Sequence, residues 1–124
     1  MRYTACVLLL LLMGIYSCTK ENAEELTLNA NLQALCELDS ARYTEHVRPI
    51  IDANCMSCHN DTDAEGGITL TTHADVSFLA LDGILIHAIK QDGQAIAMPK
   101  DAPKMHECEI HAIELWAQQG ALDN

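Results

Sequence analysis

Three residues with strong chemistry stand together in CMSCH, residues 55–59: two thiols, Cys55 and Cys58, and an imidazole, His59, directly after the second. CxxCH is the attachment signature of c-type haem. The spacing has a physical reason. The two thiols must reach the two vinyl groups on one edge of a porphyrin, and the histidine must then arrive beneath the iron. A helical turn of this length can do all three. Cys55 and Cys58 then carry the thioether bonds and His59 is the proximal iron ligand. Two other chemistries compete. Cys55–Cys58 as a redox disulfide is expected after a strand in a βαβ pattern, which the chain lacks. A zinc site needs a second close pair of ligands, and none follows.

A haem iron also needs a sixth ligand or an open site, and a distal methionine raises the potential and suits electron transfer. Met98, in Ala97-Met98-Pro99-Lys100, is the leading candidate because it lies in a proline-stiffened loop able to fold over the haem. Met105, just ahead of the last helix, reads as a packing residue. Met56, inside the attachment turn, cannot reach the far face. His73 and His87 are the bis-histidine alternatives.

These residues need helices to position them. Thr44 reads as an N-cap with Glu45 in the first turn. Val47, Ile50 and Ile51 follow at near-helical spacing, with Pro49 bending the first turns, and the helix leads into CMSCH. Residues 60–67 read as an acidic solvated turn. Asp61, Asp63 and Glu65 look like the start of a calcium loop, but Thr72 stands where the bidentate glutamate is required. ITLTTHADVSFLAL, 68–81, predicts an extended entry and a helix capped at Thr71 or Thr72, with Val76, Leu79 and Ala80 inward and a break at Asp82-Gly83. Residues 84–90 predict another short helix, ended by Asp92-Gly93. Residues 94–105 form an ordered loop. A last helix spans about 107–118, with Cys108, Ile110, Ile113 and Trp116–Ala117 on one side, Glu109 and Glu114 off it, and Gly120 as the stop. The fold class is all-α, four or five short helices with little or no sheet.

At 124 residues the chain suffices for one domain. Residues 1–17 carry Arg2 and an apolar stretch from Ala5 to Met13, too short to span a bilayer, and read as a signal peptide that is removed. Ile15-Tyr16-Ser17-Cys18 resembles a bacterial lipoprotein box, which implies a multiply acylated Cys18, since one acyl chain anchors only marginally. CTKENAEE is polar and acidic. It suits a tether and is similar to the acidic export tags of some surface lipoproteins. Residues 18–40 read as this tether and a linker, with a short helix suggested by Leu28, Leu32 and Leu35, and residues 41–124 as the domain. Losing Arg2 leaves six cationic residues against 18 acidic ones, so the formal charge moves from −11 to −12. That balance argues against nucleic acid and anionic lipid as partners. One Trp, one Phe and three Tyr make a ring-poor core, which a large apolar cofactor would help to fill.

The order VRPII, CMSCH, GGITL, a helical middle, AMPK, and a last helix with Trp and Gly resembles a small class I, mono-haem cytochrome c. It is similar to the short lipoprotein-type cytochromes of Bacteroidetes-like bacteria. The resemblance covers roughly residues 36–124. It implies a helical bundle around one covalent haem c, held by Cys55, Cys58 and His59 with Met98 axial. It also implies a disulfide between Cys36, before the first helix, and Cys108, at the start of the last. Met105-His106 departs from the family's small hydroxyl cap before the last helix. The function implied is one-electron transfer by an exported, membrane-anchored carrier facing the periplasm or cell surface, with redox proteins as partners. It implies no enzyme, because c-type peroxidases generally use more than one haem. The alternative is a haem-based ligand binder or sensor with an open or labile sixth site. Lys90, Lys100 and Lys104 flank the Met98 loop, either as a cationic docking rim or as a chance cluster on a solvated loop.

Overall fold

The computed structural model describes residues 18–124, with side chains from Glu24 onward. The signal segment, with Ile15, Tyr16 and Ser17, lies outside the described residues. The chain divides into two units, one up to Leu32 and the other Gln33–Asn124. Residues 18–36 contain no proline or glycine and are rich in Ala, Leu, Glu and Gln, which favour helix. They form α1, Cys18–Cys36, a longer helix than the tether reading allowed. The same polar composition serves a solvated helix. In the first unit Leu26 and Leu28 remain exposed.

In the second unit a π-helical turn, Tyr43–Val47, leads into α2, Arg48–Asn54. Pro49 stands in the first turn of α2. It has no N–H for the Glu45 carbonyl, and the backbone before it is wound wide, with Val47 N–H reaching back to Arg42 O at 3.3 Å. Thr44 does not cap this segment. Its hydroxyl and its N–H both donate to the Asn124 carbonyl, at 2.8 and 2.9 Å, while the Asn124 side chain accepts from Tyr43 N–H. The residue that caps the first turn therefore comes from eighty positions away.

A 3₁₀ turn, Glu65–Gly67, precedes α3, His73–Leu81. Thr72 caps α3 through a reciprocal capping box with Asp75. Next come α4, Ile84–Lys90, and α5, Glu107–Gln118. The chain leaves α4 at Gln91, in the left-handed conformation, one residue before the expected Asp92-Gly93 break. Five α-helices and no strand occur among the described residues. The all-α class therefore stands.

Helix α5 packs against the π turn, α3 and α4. Val47, Ile51, Val76, Ile89, Ile110, Ile113 and Trp116 are completely buried between them, each worth about 1.5–3 kcal/mol of apolar burial. Tyr43, His73 and Trp116 form a ring cluster with centroids 4.7–5.8 Å apart. Phe78 takes no part in it and is 70% exposed. The Tyr43 hydroxyl is buried without a hydrogen-bond partner. No helix among the described residues is long and apolar enough to cross a membrane.

Candidate functional site

CMSCH continues the end of α2 as a tight turn. Cys55 N–H donates to Ile51 O at 2.9 Å, and Cys58 and His59 N–H donate back to Cys55 O at 3.2 and 3.0 Å. The following loop is more than a solvated turn. Asn60 folds it through an Asx turn, accepting from Thr62 and Asp63 N–H. Gly66 and Gly67, both at positive φ, reverse it. The chain then returns to CMSCH: Glu65 N–H donates to Cys58 O at 3.0 Å and Leu70 N–H to His59 O at 2.8 Å.

The His59 ring is held by the same return. Its Nδ1 lies 3.2 Å from Ile68 O. A carbonyl only accepts, so Nδ1 carries a proton, and in the neutral ring Nε2 is then the nitrogen with the lone pair. This is the arrangement by which proteins orient a metal-ligating histidine and raise its basicity.

The two thiols are unpaired, Cys55 half-buried and Cys58 exposed. Burial pushes the Cys55 thiol up to about 11, with the Glu109 carboxylate adding to the rise and the Arg48 charge opposing it. A dithiol oxidoreductase wants the opposite, a lowered thiol pKa. Among the described residues no three His, Cys, Asp or Glu side chains converge as metal ligands. Cys55, Cys58 and His59 therefore do not form a ready-made zinc tetrahedron.

The rival sixth ligands separate in the structure. Met105 is 6% exposed and belongs to the core. Met98 is half-buried, and its loop is tied to the end of α4: its N–H donates to Ala88 O at 2.9 Å and its carbonyl accepts from Gln91 Nε2 at 3.2 Å. His73 Nε2 donates to Ala121 O at 2.9 Å, within the ring cluster, so that nitrogen is committed. His87 donates from Nδ1 to Asp92 at 2.8 Å and retains a free Nε2. It lines a cleft of about 290 Å³ between α3, α4 and α5 with Leu81, Ile86 and Glu114. A larger cleft of about 420 Å³ is lined by Arg42, Trp116 and Asn124 among others. Neither cleft touches CMSCH or Met98. In the smaller cleft Glu114 is engaged by Lys90 at 2.7 Å. We place the site on the donor set of CMSCH, because its chemistry is specific and that of the clefts is not.

Cys36 and Cys108 stand at disulfide distance, with Cα atoms 4.4 Å apart. The start of α5 beside them is capped by His106, whose Nδ1 accepts from Cys108 N–H at 3.2 Å while Glu109 accepts from His106 N–H at 3.2 Å. In place of a small hydroxyl, the cap is a reciprocal one built on a histidine. Glu109 does not simply lie off the packed face. It also accepts from Asn54 Nδ2 at 3.2 Å, joining the residue before Cys55 to the start of α5. Only the Asn54–Cys55 adjacency could have hinted at this. Of the three lysines near the Met98 loop, Lys90 pairs with Glu114 and Lys104 with Glu107, each at 2.7 Å, and Lys100 is exposed with no ion pair among the described residues. The cationic rim is largely neutralised.

Comparison of the chain with protein-family models, with curated proteins and with solved structures returns no match.

Proposed function

We propose that this chain is a membrane-tethered one-electron carrier, a small cytochrome c-like bundle with one covalent haem c. The observation that carries the reading is the His59 ring, set within a CxxCH turn with Nδ1–H held by Ile68 O and Nε2 left as a ligand. Bound haem would supply the exchange between ferric and ferrous iron. Cys55 and Cys58 would hold it by thioether bonds, and His59 would be its proximal ligand. Met98, on a loop anchored at both its N–H and its carbonyl, would be the distal one. The raised Cys55 thiol favours this reading over dithiol chemistry. Export and lipid attachment at Cys18, the first residue of α1, complete the proposal.

The test is the full chain exported by a host that attaches c-type haem. The purified protein should be coloured, give the haemochrome spectrum of saturated thioether side chains, and keep its haem through acid–organic extraction. Colour passing into the organic layer, or a colourless mature protein, overturns the proposal.

A further inference from the structure

Arg48 is the residue that ties the ligand-holding strand of chain to the rest of the fold. Its Nη1 donates to Leu70 O at 2.8 Å and to Thr71 O at 3.1 Å. Its Nε donates to Asp52 Oδ1 at 3.0 Å, and Nη2 reaches the same oxygen. Asp52 is the first cause that holds the guanidinium above its usual range, so the fork stays charged. The segment it grips is the one that holds His59: Ile68 O accepts from the ring, and Leu70 N–H donates to the His59 carbonyl. Leu70 thus has its carbonyl on Arg48 and its N–H on His59. No other side chain among the described residues donates to Leu70 or Thr71 O.

We infer that Arg48 is a positioning residue for the axial histidine: through the Leu70 and Thr71 carbonyls it fixes the Ile68 carbonyl against His59 Nδ1–H. The inference rests on the haem reading for its redox consequence, though not for its structural one. A planar fork that serves two carbonyls and a carboxylate is not replaceable by a lysine ammonium.

The charge and the fork have opposite electrochemical signs, which makes them separable. A positive charge near Cys55, where Arg48 is felt, favours ferrous iron, so deleting the charge lowers the potential. A firm Nδ1–H bond makes the imidazole a stronger donor and favours ferric iron, so loosening it raises the potential. Arg48→Lys keeps the charge and loses the fork. It should raise the midpoint potential and speed exchange of the Leu70 amide and of His59 Nδ1–H by about 10-fold or more, the scale of losing charge-assisted hydrogen bonds. Asp52→Asn keeps the guanidinium and weakens its anchorage, and should speed both exchanges by less; its potential is not the readout, because losing the carboxylate charge raises the potential by itself. Arg48→Lys with unchanged exchange and unchanged potential overturns the inference. So does an unchanged Arg48→Lys beside a lowered potential in Arg48→Met, because Arg48 would then act by charge alone. If Arg48→Lys fails to fold, Asp52→Asn gives the answer by itself, and no acceleration there overturns it. Wild-type protein without covalent haem would refute the proposed function and leave the Leu70 exchange test standing.

Discussion

Removing the Cys36–Cys108 link should cost this protein a large part of its stability. The two residues are separated by 72 positions. In the chain-entropy account, a cross-link over that span removes about 15 cal/mol/K from the unfolded chain, or about 4.4 kcal/mol at 25 °C. The Gln33–Asn124 unit holds roughly 90 residues. At about 2.1 cal/mol/K per residue its unfolding entropy is about 190 cal/mol/K, so the melting temperature should fall by about 20 °C as an upper value. Cys36→Ala/Cys108→Ala adds a packing loss of about 1 kcal/mol, because Cys108 is buried. Wild-type protein treated with reductant keeps both sulfurs and isolates the bond. The assay is thermal unfolding followed by circular dichroism, with and without reductant, alongside alkylation of the oxidised protein. Melting points within about 3 °C of each other, or two alkylatable thiols from Cys36 and Cys108 in the native oxidised protein, would refute the reasoning.

Met98→Ala should abolish the ferric sulfur-to-iron charge-transfer band, lower the potential and open the ferrous protein to carbon monoxide. Met105→Ala should do none of these and should cost about 2–4 kcal/mol, since Met105 is core. Wild-type ferrous protein that already binds carbon monoxide rapidly would move the sixth site to open or labile and put ligand sensing ahead of electron transfer. Cys18→Ser should stop lipid attachment, seen as an unprocessed precursor or a soluble product, and normal processing with unchanged membrane retention would count against the anchor. Thr72 lowers the Asp75 pKa below 3.8 by its side-chain and then its backbone hydrogen bond. A folded pKa below the unfolded one contributes stability that is present above about pH 4 and lost as pH falls through the folded value. Asp75→Asn should therefore be less stable than wild type at pH 7 in denaturant titrations, and the gap should close below about pH 4.

The parts of this protein that a reader of the chain could find were those written locally. CxxCH is five consecutive residues, and the chemistry proposed for it is read from their types alone. Thr72 and Asp75 stand three apart and close a box within one turn. The span of α5 followed from its apolar periodicity and from Gly120, which indeed takes a positive φ of 94°. Met105 was placed in the core by its position before that helix. Where a cap or a charge depends on a distant partner, the chain does not announce it. Thr44 looked like a cap until Asn124 took its donors. Lys90 reads from the chain as a docking charge or as a chance neighbour of the loop, and its pairing with Glu114 of α5 is not written near it. His106 is a poor cap by type but works here because its ring nitrogen meets the Cys108 amide.

The sequence by itself determined the helical class and the ends of two helices, and it set Cys55, Cys58 and His59 side by side, because local propensity and spacing are properties of neighbouring residues. Only the tertiary structure decided which nitrogen of His59 is free, that the 60–70 loop closes back onto it, and that Arg48 holds that loop in place. Those bonds join backbone carbonyls to side chains nine to twenty-three positions away. A carbonyl belongs to every residue alike, so no residue type announces which of them will accept.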